Sequence, residues 1–262
     1  MTRHFLKDDD LSPKEQAEIL DLAIELKANR FSHKPFAGPQ TVAVIFDKTS
    51  TRTRVSFAAG IADLGGVPLI IDSGSSQLGK KESVADTARV LERQVAQIVW
   101  RTYAQSGLEE MAANSKVPVI NSLSDDWHPC QLLADLLTIR EEFGKTQGLK
   151  LAYIGDAANN MGNSYLVACA LAGMSVSVGA PAGFQPASDV VARAQKIAAQ
   201  FEGNYALKVH LAPPLLAKKN ERGELVKRPY GPFMFTAFRW LARFKGLRGT
   251  ALDLFGRTEE RR

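Results

Sequence analysis

Cysteine is scarce in this chain, and so are long hydrophobic runs. Only Cys130 and Cys169 occur among the 262 residues, which is too few for a disulfide-stabilised scaffold. No apolar stretch approaches the ~20 residues that cross a bilayer. The first residues are polar and acidic, where a secretory signal would be basic and then apolar. We therefore expect a cytoplasmic protein that has no membrane partner.

An excess of one charge sign is also missing from most of the chain. The net charge of +5 originates at the C-terminal end, because residues 201–262 hold 13 Lys and Arg against 6 Asp and Glu, whereas residues 1–200 hold 20 against 22. The basic composition therefore gives no indication of a nucleic-acid partner for the first three quarters. The abrupt shift predicts a boundary near residue 200.

Apolar runs typical of buried strands alternate with amphipathic segments typical of helices. The runs lie at residues 41–46, 67–72, 96–101, 117–122 and 149–155, and helices are predicted at 12–30, after the loop at 47–50, at 83–93, 130–144 and 163–173. This order predicts an α/β fold with parallel strands and ligands at their carboxyl ends. A second α/β unit is predicted from Leu149, because residues 148–181 give a strand, a Gly-rich loop, a helix and a further strand. The alternation is lost from Phe201.

Hydroxyls and arginines are concentrated between the first strand and its helix, as Ser50, Thr51, Arg52, Thr53 and Arg54. A helix N-terminus offers unpaired N–H groups and a partial positive charge, so this loop favours phosphate binding. The alternative is that Ser50 or Thr51 only caps the helix while the arginines lie in solvent.

Two further polar residues follow predicted strands. Arg101 ends the third strand, where it could bind a ligand or form a surface salt bridge. His128 follows the fourth strand, where it could donate to a developing oxyanion or be structural. The run GDAANNMGNS lacks the GxGxxG spacing, which excludes a dinucleotide cofactor.

Six motifs occur in the order seen in ornithine carbamoyltransferases: FDKTSTRTRVSF, SQLGKKES, DTARVL, WRTYAQ, HPCQLLADLLTI and GDAANNMGNS. The resemblance covers residues 1–199 and implies transfer of the carbamoyl group from carbamoyl phosphate to ornithine, giving citrulline and phosphate in arginine biosynthesis. It implies no metal or organic cofactor. It also implies two parallel-sheet domains, namely a carbamoyl-phosphate-binding domain at 1–146 and a truncated ornithine-binding domain at 147–199.

The resemblance assigns roles to individual residues. Ser50, Thr51, Arg52 and Thr53 would hold the phosphate, Arg101 the oxygens of carbamoyl phosphate, and His128 and Gln131 its carbonyl. Among these, Arg52, Arg101 and His128 would be catalytic, whereas Cys130 is expected to be a packed thiol.

The same resemblance implies a shared site in a homotrimer. Gln77 would reach a neighbouring subunit's active site, although by itself it is typical of a solvent-facing turn. Asn160 would contact ornithine, while Asn159 is expected only to cap a helix. The chain departs from the family at Asp47, where glutamate is common, and at Ala158, where arginine is usual.

Residues 200–262 are predicted to be an unrelated basic tail. They lack the family's ornithine-binding aspartate, its Ser-Met-Gly loop and its His-Cys-Leu-Pro loop, and resemble instead the C-terminal end of indolepyruvate ferredoxin oxidoreductases. The junction is either a natural fusion or a sequence-assembly error. Two alternatives to a working enzyme follow: a catalytically impaired fragment that binds carbamoyl phosphate, and an interaction protein acting through the tail.

Overall fold

Two parallel sheets form the framework of the protein. The computed structural model describes residues 2–72 and 82–201, together with the backbone of a strand at 207–211. The strands are β1 (Thr41–Phe46), β2 (Val67–Asp72), β3 (Gln97–Arg101), β4 (Val119–Leu123), β5 (Lys150–Ile154), β6 (Ser175–Ala180) and β7 (Leu207–Leu211). The first sheet has the order β2-β1-β3-β4 and the second the order β5-β6-β7. All pairings are parallel, which confirms the predicted α/β class.

Helices connect the strands and cover the sheets. They are α1 (Pro13–Ala28), α2 (Thr51–Asp63), α3 (Val84–Leu91), α4 (Gln105–Ala113), α5 (Pro129–Phe143), α6 (Asn160–Leu171) and α7 (Ser188–Ala198), and a short 3₁₀ helix at Asp8–Asp10 precedes α1. Within the described ranges, no helix has both the length and the apolar character that a membrane span requires.

Strand β1 is buried on both faces, as its continuous apolar run predicts. Val42 and Val44 pack on one side of the sheet with Ile61 of α2. Ala43 and Ile45 face the other side, where α3 and α4 cover the sheet. This burial fixes the strand order around β1, and with it the end of the sheet at which the polar loops meet.

Helix α6 joins the two halves of the molecule. It belongs to the second sheet, and its run from Leu166 to Leu171 is buried. Leu20 of α1 and Leu132 and Leu136 of α5 pack in the same apolar cluster. The second sheet is therefore packed, through α6, against helices that belong to the first half of the chain.

The structure differs from the sequence prediction in three elements. Helices α4 and α7 were not predicted, and β7 lies beyond Phe201, where we expected the βα alternation to be lost. β7 pairs with β6 from Val176↔Leu207 to Ala180↔Leu211, so the alternation continues for one more strand. The predicted domain limits at 146 and 199 stay predictions. Residues 202–206 and 212–262 of the predicted tail lie outside the described residues.

Candidate active site

The polar loops converge because of the strand order of the first sheet. From β1 the chain crosses to β2 on one side, and β3 then lies on the other side of β1. Phe46 at the end of β1 is aligned with Arg101 at the end of β3, and β4 follows on the far side of β3. Such a switch point is where open α/β sheets bind ligands. The loops that carry Ser50, Arg101 and His128 all leave the sheet there.

Ser50 caps helix α2. Its hydroxyl oxygen accepts the Thr53 N–H at 3.4 Å, and its O–H donates to Thr53 Oγ1 at 2.9 Å. Ser50 therefore caps the helix, which is one part of the alternative. The cap is compatible with a phosphate role, because the first N–H groups of a helix have no intrahelical partner. The first turn, which begins with Thr51 and Arg52, holds no acidic side chain, so its positive field is not neutralised.

The two arginines of the loop have different surroundings. Arg54 is paired with Asp72 at the end of β2, with Nη1 at 3.0 Å from Oδ2, and its guanidinium lies over the Phe46 ring at 5.3 Å. Arg52 is exposed and forms no ion pair with any residue that the structure describes. Of these two arginines, Arg52 is therefore the one that is free to bind a ligand anion.

Arg52, Arg101 and His128 influence one another electrostatically. Burial, and then the charge of Arg52, lowers the pKa of the Arg101 guanidinium. Burial, and then the charge of Arg101, lowers the pKa of His128 to about 4. Arg101 Nε and His128 Nδ1 are buried without a hydrogen-bond partner among the described residues. The site thus presents two cations beside a neutral imidazole, an arrangement suited to an anion.

The loop that leads to His128 is held by a buried polar cluster. Ser124 Oγ donates to Gln105 Oε1 at 2.8 Å and accepts the Trp127 N–H at 3.0 Å. Asn121 donates from Nδ2 to the carbonyl oxygen of Leu6 at 2.8 Å. Residues 124–127 are therefore fixed on the end of β4 by groups that are themselves buried.

The first turn of α6 contacts the same loop from the other side. Asn160 donates to the Ser124 carbonyl oxygen at 2.6 Å, and Asn163 donates to that of Asp126 at 3.1 Å. Asn159 caps α6 by accepting the Gly162 N–H, as predicted. The proposed ornithine contact of Asn160 stays a prediction, because its amide is engaged with the loop.

The remaining predicted residues are placed less directly. Gln131 lies in the first turn of α5 and donates from Nε2 to Asp135 on the same helix at 2.9 Å. Gln77 lies outside the described residues. Burial raises the pKa of the Cys130 thiol to about 12, as expected of a packed thiol. Asp47 accepts from Trp100 Nε1 at 2.8 Å, so aspartate at this position ties the loop after β1 to β3.

Sequence reasoning missed Asp8 and Ser164. Both side chains are buried, Asp8 at 3% exposure and Ser164 at 0%, and burial raises the pKa of Asp8 to about 8. Asp8 is the first of three consecutive aspartates, and three acidic residues in a row are typical of a solvated turn. The sequence therefore held no signal that distinguished the buried carboxyl from its neighbours.

Comparison with known families divides the chain in the same way as its two sheets. Residues 3–141 match the carbamoyl-phosphate-binding domain of aspartate/ornithine carbamoyltransferases, and residues 147–214 match the aspartate/ornithine-binding domain. Residues 188–262 match a family of unknown function (DUF6537), so the two matches overlap between 188 and 214. This match does not test the resemblance of the tail to indolepyruvate ferredoxin oxidoreductases, which stays a prediction.

Curated and solved relatives agree with the family match. The chain is 66% identical over 217 residues to an ornithine carbamoyltransferase of Clavibacter sepedonicus, covering 83% of this chain and 70% of the relative. It is 69% identical over 204 residues to that of Clavibacter michiganensis, covering 78% and 66%. The ornithine carbamoyltransferase structure from Pyrococcus furiosus superposes with a TM-score of 0.75 at 39% identity, over 81% of this chain and 67% of that one.

The chain thus spans about two thirds of the length of these relatives. The matched part contains the first sheet and the three described strands of the second. Its α/β architecture, the loops at the switch point and the sequence identity agree, and the chain belongs to the aspartate/ornithine carbamoyltransferase family.

Proposed function

We propose that this chain binds carbamoyl phosphate at the N-terminus of α2 and transfers its carbamoyl group to ornithine. The observation that carries the proposal is the convergence of Arg52, Arg101 and a neutral His128 at the switch point of the first sheet. A dianionic phosphate would relieve the repulsion between the two guanidinium groups and pair with buried Arg101 Nε. Capped by Ser50, the helix adds N–H donors to the same anion.

The chemistry requires positioning more than proton transfer. A neutral amine of ornithine attacks the carbonyl carbon, a tetrahedral intermediate collapses, and phosphate leaves. His128, whose pKa of about 4 keeps it neutral, can donate one N–H to the developing oxyanion without placing a third positive charge beside the arginines. Gln131 is the second proposed carbonyl ligand, and the two bound substrates supply rate through proximity.

The assembly belongs to the same proposal. We place Gln77 at a neighbour's site in a homotrimer, and Asn160 at the ornithine. Exposed apolar side chains on α2 and on the edge strand β2 are compatible with subunit contacts, since Val55 of α2 is 60% exposed, and Val67 and Leu69 of β2 are 46% and 43% exposed. Two free cysteines are consistent with a cytoplasmic location. The origin of residues 201–262 in an indolepyruvate ferredoxin oxidoreductase likewise stays a proposal.

Calorimetric titration of carbamoyl phosphate tests the proposal. Arg52→Ala should weaken binding by about tenfold or more, because a charge-assisted contact contributes ~1.5–3 kcal/mol. Arg52→Lys should also weaken binding, because a point charge does not reproduce a planar bidentate fork.

Arg54→Ala is the matched control. Arg54 lies two residues away on the same helix, but its guanidinium is occupied by Asp72, so its loss should change the affinity much less. Equal affinities for the parent, Arg52→Ala and Arg54→Ala would refute the phosphate site.

A further inference from the structure

One face of α6 holds three main-chain groups of the loop that ends at His128. Asn160 and Asn163 bind the carbonyl oxygens of residues 124 and 126, and Ser164 Oγ accepts the His128 N–H at 2.9 Å. Residues at positions i, i+3 and i+4 share a helix face, and the loop presents every second residue to them. The contacts thus run along the loop to the catalytic imidazole.

The Ser164 hydroxyl is supported in turn by Asp8. Its oxygen accepts the His128 N–H at 2.9 Å. The same hydroxyl lies near the Asp8 carboxyl and lowers the pKa of that carboxyl, against the larger effect of burial. Asp8 Oδ2 has no partner within the part of the chain that the structure describes. After burial, the charge of Asp8 raises the pKa of the thiols of Cys130 on α5 and Cys169 on α6. The buried Ser164 hydroxyl therefore lies between the N-terminal segment and the main chain of His128.

A second contact supports the same loop. Asp9, adjacent to Asp8, is paired with Arg193 of α7 at 3.2 Å. The Arg193 guanidinium lies 5.6 Å from the centre of the ring of Trp127, the residue that precedes His128 in the sequence. Helices α6 and α7, which both contact the loop, follow strands of the second sheet, whereas Arg101 belongs to the first.

We propose that Ser164, supported by Asp8, is a positioning residue for His128: it holds the imidazole beside Arg101 only while α6 is packed on the His128 loop. The ornithine half of the molecule would thereby set the geometry of the carbamoyl phosphate half. This inference rests on the proposed role of His128 at the carbamoyl carbonyl. Ser164 is fully buried and contacts the main chain of His128, so it would act through His128 and not on the substrate itself.

Titration of the imidazoles by NMR tests the inference in the full chain, which has four histidines. The His128 signal is assigned by its loss in His128→Asn. In Ser164→Ala the loop loses its anchor and the imidazole gains solvent, so the pKa of His128 should rise from about 4 toward 6.5. Carbamoyl phosphate affinity should fall about three- to tenfold, which is the effect of one net hydrogen bond.

Ser115→Ala is the matched control, because Ser115 is also buried and its hydroxyl donates to the Val117 carbonyl oxygen at 2.9 Å, in the turn between α4 and β4. It should leave the pKa of His128 at the parent value. An unchanged His128 pKa in Ser164→Ala would overturn the proposal. If the parent chain fails to bind carbamoyl phosphate, the proposed function fails while the His128 titration still tests the positioning.

If Ser164→Ala does not fold, a second pair of variants tests the proposal. Asp8→Asn keeps an acceptor for the Ser164 hydroxyl, so His128 should titrate as in the parent. Asp8→Ala removes that acceptor, and the pKa of His128 should rise. Identical His128 titrations in these two variants would contradict the proposal.

Discussion

Asp8 has surroundings that oppose its ordinary ionisation. It is almost completely buried in the 3₁₀ helix, and the same segment carries Asp9 and Asp10. Desolvation dominates over the hydrogen bond from Ser164 and raises the pKa of the carboxyl to about 8, against an ordinary 3.8. In the folded chain this residue is therefore neutral at pH 7, which few sequence arguments would assign to an aspartate.

Asp8→Asn should stabilise the protein, and more so as the pH rises. Between the ordinary pKa of 3.8 and the folded value of about 8, the unfolded carboxyl has lost its proton and the folded one has kept it. Stability of the parent therefore falls with rising pH across this window, by up to ~1.4 kcal/mol per pH unit. Asparagine is neutral in both states and removes the slope.

Urea denaturation of parent and variant at pH 4.5, 6 and 8 measures the effect. Asp189→Asn, on the exposed first turn of α7, controls for the change of net charge and should not reproduce the pH trend. A constant difference in stability between parent and Asp8→Asn at the three pH values would show that Asp8 ionises normally in the folded chain.

At the scale of elements, helix caps account for part of what the sequence could predict, since α5 was predicted although its N-cap, His128, makes no side-chain cap. The three helices α1, α2 and α3 were predicted, and each begins after a serine whose side chain accepts a main-chain N–H. Helices α4 and α7 were not predicted. Both begin after an alanine that makes no side-chain cap, so the sequence held no start signal for them. Their position is determined by packing on the sheets instead.

The candidate site also has a part that the sequence predicts and a part that depends on packing between distant segments. Arg52, Arg101 and His128 could be placed together because each follows a parallel strand, and such strands end at one edge. The contact of α6 with the His128 loop depends on the packing of two distant segments. Nothing local to Ser164 or Asn160 predicts that packing, and the same holds for the engagement of Gln131 with Asp135.

Gly162→Ala should destabilise the protein and displace the first turn of α6. A Cβ at residue 162 would lie 2.3 Å from the Ala157 carbonyl oxygen, so either the turn or the preceding loop must move. Overpacking of this kind costs ~1–3 kcal/mol or more. Because Asn160, Asn163 and Ser164 lie in the displaced turn, carbamoyl phosphate binding should weaken as well.

Gly60→Ala is the matched control for this change. Gly60 also lies within a helix, α2, and a Cβ there would meet no atom within 4 Å. Alanine should therefore raise stability by roughly 0.5–1 kcal/mol. Thermal unfolding of the two variants should move in opposite directions from the parent. A midpoint for Gly162→Ala equal to that of the parent would mean that the close approach is not a constraint.

At the scale of the whole molecule, we expect carbamoyl phosphate sites to be shared between subunits. In mixed trimers of Arg52→Ala and Gln77→Ala chains, an Arg52→Ala subunit can still supply Gln77 to the intact Arg52 of a neighbour. Calorimetry should detect binding in the mixture at a stoichiometry that neither variant reaches alone. Unrestored binding in mixed trimers verified by native mass spectrometry would count against sharing, as would full binding by a monomer.

The two halves of the chain differ in how completely they match the family, which bears on turnover. The family match to the first domain covers residues 3–141 and includes all four strands of the first sheet. The match to the second domain ends at residue 214, and the aspartate, Ser-Met-Gly and His-Cys-Leu-Pro motifs implied for ornithine have no counterpart among residues 200–262. We therefore expect carbamoyl phosphate to bind while citrulline forms slowly or not at all.

The physical reason is that a two-substrate transfer must orient the nucleophile as well as the leaving group. Misplacement by ~1 Å already costs ~100-fold in rate, and Asn160 alone, with its amide engaged by Ser124, does not fix an amine in three dimensions. A citrulline assay with both substrates, run beside a calorimetric titration of carbamoyl phosphate on the same preparation, separates binding from transfer. Turnover at ~1–1000 per second, the ordinary range for enzymes, would refute the prediction. It would mean that residues 200–262 rebuild the acceptor site with side chains unrelated to those of the family.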